Sequence, residues 1–374
     1  MDADMVEAHH ASLKTFASQH DIAAILVEGV PRAFCAGGDI KSIREYALQQ
    51  PYREDPPIDH PVARVFQTEY NQVCDVARCP VPYISICTGI WMGFGVGNSA
   101  HGDVRVVTED TLFAMPENSI GLFPDVGFAH IAATMPGAVG LYLGLTGKRL
   151  SAPEDLLYSG LGTHHVRVEQ LPTLRDALVL APLARHPDKA ETLSQLDANL
   201  QQFQEPGLAK PQLAKLQPMI DSCFMPALHY RDRGRTAPEA LDDIALDLLT
   251  IAQTNERPEA KQFAVETLES LQKLCPMSMA ITLRHFAAVY HAVRTGAGPL
   301  AQIEGVMEQE YALAVRQCGR GDFAEGVRAV VVDKDKNPKW DPENLSDIRE
   351  DDLDAMFAPM PPGKGLRLDF LDRS

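Results

Sequence analysis

Two patterns of hydrophobic and polar positions divide this chain near residue 170. Before that point, short apolar runs alternate with Gly/Pro turns and helical stretches, and the runs predict strands at 24–27, 83–87, 104–107 and 111–114. After about Pro172 the strand signals stop, and apolar residues recur at helical spacing, as in 193–200 and 241–251. The pattern therefore predicts the α/β class, with an α/β core followed by a helical region.

The same patterns predict where the segments begin and end. We expect three of them: a core at 1–170, a helical region at 171–345, and a tail at 346–374 that is acidic and then rich in Pro and Gly. We expect this tail to form a helix followed by a loosely held end. Near the start of the chain, one face of a helix is predicted from the spacing of Met5, Val6, Leu13 and Phe16. No targeting segment is visible before this helix, so we expect the chain to begin inside a folded element.

Composition and charge exclude several classes of protein. Of the 374 residues, 45% are hydrophobic and 23% are charged, which is typical of a globular protein. Lys and Arg number 34 against 51 Asp and Glu, so the formal charge is 34 − 51 = −17. A surface this negative repels phosphate groups. We therefore expect no autonomous nucleic-acid binding and no membrane binding, and no apolar run approaches the ~20 residues of a membrane span.

The cysteines add a further expectation. All seven are scattered along the chain, and they show no paired spacing of the kind that metal ligands have. We therefore expect neither a disulfide framework nor a metal site, and we expect a reducing compartment.

Two glycine-rich segments each follow a predicted strand. In 33–40, Gly37 and Gly38 allow a positive φ and a close backbone approach, so the turn could present amide N–H groups to an oxygen. The alternative is an ordinary turn in which Asp39 caps a helix. In 89–97, several glycines could supply a second donor at a helix start, or they could serve backbone packing alone. The spacing does not match a dinucleotide-binding motif.

A third segment, 112–127, places two carboxyl groups in apolar surroundings. Glu117 and Asp125 lie eight residues apart among Pro, Gly and apolar residues. Desolvation there would raise the pKa of a carboxyl group toward the range used in general acid/base catalysis. These two residues are therefore the best catalytic candidates, although a glutamate after proline can also be a solvated turn residue.

Together these segments resemble the crotonase (enoyl-CoA hydratase/isomerase) superfamily and, within it, the branch of 3-hydroxyisobutyryl-CoA hydrolases. The resemblance rests on 33–39, the glycine-rich stretch 89–97, 113–117, 121–127, 275–278, 321–329 and 333–340. Only about 172–273 is loosely matched. The resemblance implies a ββα spiral core, a helical region that covers the site and supports self-association or a larger protein assembly, and a mitochondrial location. It also implies an acyl-CoA substrate of valine catabolism, in which CoA is part of the substrate and no metal or other cofactor is needed.

The resemblance also implies roles for particular residues. The backbone amides of Gly38 and Phe94 would form the oxyanion hole, which stabilises the negative charge that develops on the thioester oxygen. Glu117 would attack the thioester or activate water, and Asp125 would orient the substrate hydroxyl or assist proton transfer. The substrate-binding positions are Glu69, Ala36, Gly37, Asp39 and Gly93. The second catalytic glutamate of the hydratases would fall at Gly97, which favours the hydrolase branch.

Three departures from the family pattern leave alternatives open. Phe94 and Phe128 stand where the family has glycine, so their rings could fill the acyl pocket, and the family's first β-hairpin is not seen before the helix near Met5. One hypothesis is an active acyl-CoA thioesterase. The alternative is a catalytically impaired structural subunit of a large assembly, such as the small subunit of the mitochondrial ribosome. A third possibility is a protein that binds acyl-CoA without turnover.

Overall fold

The computed structural model describes residues 1–30, 32–52, 54–183, 185–186, 188–204 and 208–369. The end of the predicted tail, 370–374, lies outside the described residues. The first described element is a helix, as the sequence predicts. No helix in the described ranges is both long enough and apolar enough to cross a bilayer.

In the part of the chain that the structure describes, seven strands form two parallel sheets. They are β1 Ile25–Glu28, β2 Ala33–Cys35, β3 Tyr83–Cys87, β4 Ile90–Met92, β5 Val104–Val107, β6 Leu112–Ala114 and β7 His164–His165. One sheet has the order β1-β3-β5-β7, and the other has the order β2-β4-β6. All four predicted strands are confirmed to within one residue at each end. Consecutive strands alternate between the sheets, so each turn of the chain adds one strand to each sheet, which is the predicted spiral.

Strand β3 lies at the centre of the larger sheet. It pairs with β1 on one side, where Leu26 lies beside Ile84, and with β5 on the other, where Ile84 lies beside Val104. All five residues of β3 are buried. A continuous apolar strand of this kind is typical of a parallel sheet with both faces covered.

The core contains seven helices among the described residues. They are α1 Ala3–Ser18, α2 Ile40–Gln49, α3 Pro61–Ala77, α4 Phe94–Gly97, α5 Phe128–Ala132, α6 Val139–Thr146 and α7 Pro153–Tyr158. The predicted first helix is confirmed, but its predicted apolar face is only partly right. Val6 and Leu13 are buried, whereas Met5 and Phe16 are 55% and 46% exposed. Ala17 completes the buried face.

The second half is helical, as predicted. Its helices are α8 Leu171–Leu180, α9 Lys189–Leu200, α10 Gln212–Leu228, α11 Ala237–Thr254, α12 Pro258–Leu271, α13 Pro276–Thr295, α14 Ile303–Cys318, α15 Gly321–Val327 and α16 Glu350–Phe357. A five-residue π-helix, Arg328–Val332, follows α15. Helix α13 packs on α5 and α6, and α14 packs on α3. The helical region and the core therefore share one apolar interior.

The tail is held more firmly than its composition suggests. Helix α16 buries Leu353 and Met356. Beyond it, the backbone N–H of Asp369 donates to Asn71 Oδ1 at 2.7 Å, and Asn71 Nδ2 donates to the carbonyl of Arg367 at 2.8 Å. The expectation of a loosely held end is therefore wrong as far as residue 369, because the tail lies along α3 and forms hydrogen bonds with it.

Candidate active site

The three unusual segments of the sequence meet at one edge of the three-stranded sheet. Strands β2, β4 and β6 run parallel, and each leads directly into one segment, at 36–38, 93–94 and 115–117. Carboxyl ends of parallel strands lie at the same edge, where α/β proteins commonly bind ligands. A cavity of about 310 Å³ lies at this edge. The expected site residues that line it are Ala36, Gly37, Gly38, Glu69, Gly93, Phe94, Glu117 and Asp125.

Two glycine turns form one wall of the cavity. The φ angle is 104° at Gly37 and 53° at Gly93, a region where other residues are strained. The turns lie side by side, since a Cβ atom on Gly37 would be 3.9 Å from the backbone nitrogen of Phe94. Phe94 begins α4, so its N–H has no acceptor within that helix. The amides that follow the two glycines, on Gly38 and Phe94, can therefore donate to one oxygen.

Two glutamates face these turns. A Cβ atom added to Gly38 would lie 2.8 Å from Glu69 Oε1. A Cβ atom added to Gly93 would lie 3.3 Å from Glu117 Oε1. Both carboxyl groups are buried, and Glu69 Oε1 and Glu117 Oε2 have no hydrogen-bond partner among the described residues. Buried polar atoms are rarely left in this state. These two oxygens are therefore buried acceptors whose hydrogen-bonding capacity is unused among the described residues.

Asp125 lies on a tight turn that three side chains hold in place. Its Oδ2 accepts a hydrogen bond of 2.7 Å from the Tyr70 hydroxyl. The next residue, Val126, has a φ of 53°, and its carbonyl accepts from His101 Nε2 at 2.9 Å. The backbone N–H of Gly127 donates to Glu310 Oε2 at 2.9 Å. The position of the Asp125 carboxyl group is therefore set from both sides of the turn.

The environment raises the pKa of all three carboxyl groups. Burial, with repulsion by Asp125, raises the pKa of Glu69 to about 8. Burial and the charge of Glu310 raise the pKa of Asp125 to about 7, against the opposing effect of the Tyr70 hydrogen bond. Burial, again with Asp125, raises the pKa of Glu117 well above its usual range. The cluster thus retains protons near neutral pH, as general acid/base chemistry requires.

The rings of Phe94 and Phe128 were both considered able to fill the acyl pocket, but only one of them lies at the cavity. Phe94 lines the cavity. Phe128 does not line it, and its ring packs instead against Phe113 and Phe286, at centroid distances of 5.8 and 6.0 Å. The expectation is therefore wrong for Phe128, because the first turn of α5 directs this ring into the apolar core. The cavity remains about 310 Å³ in volume beside Phe94.

Asp39 and Gly97 lie outside the cavity lining. The Asp39 carboxylate caps α2, with Oδ1 accepting from the N–H of Ser42 at 3.2 Å and Oδ2 accepting from its hydroxyl at 2.7 Å. The sequence left this capping role open as the alternative to substrate binding. A Cβ atom on Gly97 would lie 2.6 Å from the Cβ atom of Val126. The fold therefore has no room for a glutamate at position 97.

Sequence reasoning missed several residues of the site. Tyr70 binds Asp125, Glu310 holds the turn, and Arg149, Val330 and Val331 line the cavity. Tyr70 directly follows Glu69 on α3, but no sequence pattern indicated its hydrogen bond to Asp125. The two valines come from the π-helix, a backbone irregularity that the sequence pattern does not indicate.

Comparisons with known proteins agree with this architecture. The family model for enoyl-CoA hydratase/isomerase matches residues 1–357. The mitochondrial 3-hydroxyisobutyryl-CoA hydrolases of Mus musculus and Homo sapiens are each 33% identical to this chain, over 96% of it and over 83% and 82% of their own lengths. A crystal structure of a carnitinyl-CoA dehydratase from Mycobacterium thermoresistibile has a TM-score of 0.78 and 29% identity, and the match covers 99% of this chain and 92% of that one.

Proposed function

This chain belongs to the enoyl-CoA hydratase/isomerase family, and from this premise we propose that it hydrolyses the thioester bond of a short hydroxyacyl-CoA, of the 3-hydroxyisobutyryl-CoA type. The observation that carries the proposal is the pair of buried glutamates, Glu69 and Glu117, whose carboxyl groups lie beside the two glycine turns and each have one oxygen without a hydrogen-bond partner among the described residues. The names of the mouse and human relatives favour hydrolysis over the structural-subunit alternative, and their mitochondrial names agree with the expected location.

In the proposed reaction, the thioester carbonyl oxygen lies between the amides of Gly38 and Phe94. These donors stabilise the negative charge that forms on this oxygen when the acyl carbon becomes tetrahedral, and one such donor contributes about 3–4 kcal/mol in comparable sites. A donor of this kind is a backbone group, so the Gly-to-Phe departure at position 94 retains it. The carbonyl then faces Glu117 across the cavity.

Glu117 is the proposed nucleophile or base. In its ionised form it attacks the acyl carbon or takes a proton from water that does so. The C–S bond breaks, the CoA sulfur takes up a proton, and water supplies the new C–O bond, so the products are a free hydroxy acid and CoA. Asp125, fixed by Tyr70, orients the hydroxyl group of the substrate. Glu69 faces Gly38 and is the proposed second proton carrier.

The test is release of CoA from 3-hydroxyisobutyryl-CoA by the purified protein. We expect Glu117→Gln to lower kcat by at least ~100-fold with little change in KM, because the amide cannot act as a nucleophile or base. Glu256→Gln, at an exposed position before α12, is the matched control and should retain full turnover. Binding of the thioester by the wild type without release of CoA would contradict the proposal and would favour a binding protein.

A further inference from the structure

A buried acid and imidazole lie behind the turn that carries Asp125. Glu310 is on α14 and His285 is on α13, and neither side chain is exposed to solvent. Glu310 Oε1 lies 2.9 Å from His285 Nε2. Its other oxygen, Oε2, accepts the backbone N–H of Gly127 at 2.9 Å. Glu310 thus connects two helices of the second half to the site, although it does not line the cavity.

The surroundings of this pair favour its uncharged form. Burial raises the pKa of Glu310 well above its usual range, and burial lowers the pKa of His285 to about 4. Burial therefore disfavours the charged form of both partners. Oε2 accepts from Gly127, so it is Oε1 that forms the hydrogen bond with His285 Nε2.

The turn at 125–127 needs such support. Val126 has a φ of 53°, and a left-handed conformation costs a non-glycine residue about 1–2 kcal/mol. Gly127 also has a positive φ, of 74°. The hydrogen bond from Gly127 to Glu310 holds the turn at its far end from Asp125, and the hydrogen bond from His101 to Val126 holds its middle.

We propose that Glu310, supported by His285, is a positioning residue for the reaction: through its hydrogen bonds to Gly127 and His285 it holds the 125–127 turn and thereby places the carboxyl group of Asp125. The inference rests on the proposed function.

Other titratable groups surround the pair and the turn. Glu69 and Tyr70 lie on α3, His130 lies on α5, and Cys318 lies on α14 itself. The segments between the longer elements contribute Glu117, Asp125 and His101. Glu310 is distinguished from the other carboxyl groups among these by its separation from the cavity. A substitution of Glu310 therefore changes the turn without removing a group that can touch the substrate.

Two substitutions separate the hydrogen bonds of Glu310 from the volume of its side chain. In Glu310→Gln, the amide can still accept from Gly127 and donate to His285. In Glu310→Met, both hydrogen bonds are lost at similar volume. We expect kcat at pH 7 to stay within about threefold of the wild type in Glu310→Gln and to fall about tenfold or more in Glu310→Met, since one hydrogen bond corresponds to about a factor of ten.

Asp155→Asn is the matched control for this experiment. Asp155 is also a buried carboxyl group that accepts a backbone N–H, that of Leu213 at 2.8 Å, but it connects a different pair of elements, α7 and α10. Its substitution should leave kcat unchanged. Equal activity of Glu310→Met and the wild type would overturn the inference, as would equal impairment of Glu310→Gln and Glu310→Met.

A second measurement does not depend on turnover. The ¹³Cγ chemical shift of Asp125 can be followed by NMR in the wild type and both variants, with Asp125→Asn used for its assignment. We expect this shift to be preserved in Glu310→Gln and displaced in Glu310→Met. If the wild type does not turn over, the proposed function fails, and the NMR comparison still decides the inference: an unchanged shift in Glu310→Met overturns it.

Discussion

At the scale of single residues, the site depends on how little water reaches three carboxyl groups. Glu69, Glu117 and Asp125 are between 4% and 6% exposed, and each has a raised pKa with burial as the main cause. Ionisation of one group makes ionisation of the next more costly. The three groups therefore titrate as a coupled set.

The Tyr70 hydroxyl adjusts this titration. Its hydrogen bond to Asp125 favours the ionised carboxylate and lowers the pKa of Asp125. Tyr70→Phe removes the bond, so the pKa of Asp125 should rise and the acidic limb of kcat/KM should move to higher pH. Below pH 7 we expect a loss on the order of tenfold, with a smaller loss at pH 9. If the acidic limb of kcat/KM, measured between pH 5 and 9, does not move in Tyr70→Phe, this role of Tyr70 is contradicted.

Phe94 and Phe128 provide a matched pair of substitutions. Both rings are buried, and Phe→Ala should lower the free energy of unfolding by about 3–5 kcal/mol at either position. Only Phe94 lines the cavity. Phe94→Ala, which retains the backbone amide, should therefore increase kcat/KM for bulkier acyl groups relative to the short substrate. An altered acyl preference in Phe128→Ala, measured over a series of acyl-CoA esters, would show that this ring reaches the pocket.

The sequence indicated Glu117 and Asp125 because their carboxyl groups stand among apolar residues and glycines. Glu69 came only from the family resemblance, since its helix shows an ordinary amphipathic pattern. Tyr70 and Glu310 were missed because their partners are distant in sequence: Tyr70 binds a residue 55 positions away, and Glu310 binds one 183 positions away. Local spacing carries no information about such pairings.

At the scale of elements, the site exists because three parallel strands end at one edge. Each motif was weak on its own, and the sheet order β2-β4-β6 brings them together. The strands and helices were largely predictable from periodicity. The faces of α1 and the course of the tail were not, because they depend on what packs against each element. Phe16 remains exposed, and the tail forms hydrogen bonds with polar side chains of α3.

The tail and α3 provide a test at this scale. Asn71 bonds the backbone at Arg367 and Asp369. Asn71→Ala removes both bonds, so we expect faster amide exchange at 367–369 and a loss of roughly 1 kcal/mol in the free energy of unfolding. Hydrogen exchange followed by mass spectrometry measures the first quantity. Exchange as slow as in the wild type would mean that other contacts hold the tail.

At the scale of the whole molecule, the net charge of the protein has the same sign as the charge of the proposed substrate. The chain carries a formal charge of −17, while the phosphate groups of an acyl-CoA are anionic, so the molecule as a whole repels the proposed substrate. Arg149 is an exposed cation that lines the cavity. A local positive charge at this place can offset the repulsion where the substrate enters.

Arg149 should therefore affect binding more than chemistry. We expect Arg149→Gln to raise KM about three- to tenfold at low ionic strength, with kcat unchanged, and the difference to shrink as added salt screens the charges. Arg257→Gln, at the start of α12, removes the same charge from the molecule at an exposed position outside the cavity lining. A rise in KM of the same size in this control would mean that net charge, and not position, controls binding.

The central claim, that the buried carboxyl cluster hydrolyses a thioester, is tested most directly by the fate of the acyl group in ¹⁸O-labelled water. We predict that 3-hydroxyisobutyryl-CoA incubated with the wild-type protein gives free CoA and a hydroxy acid with ¹⁸O in its carboxyl group, as detected by mass spectrometry. Formation of the dehydrated enoyl-CoA without free CoA would contradict the account and would identify a hydratase-type reaction instead.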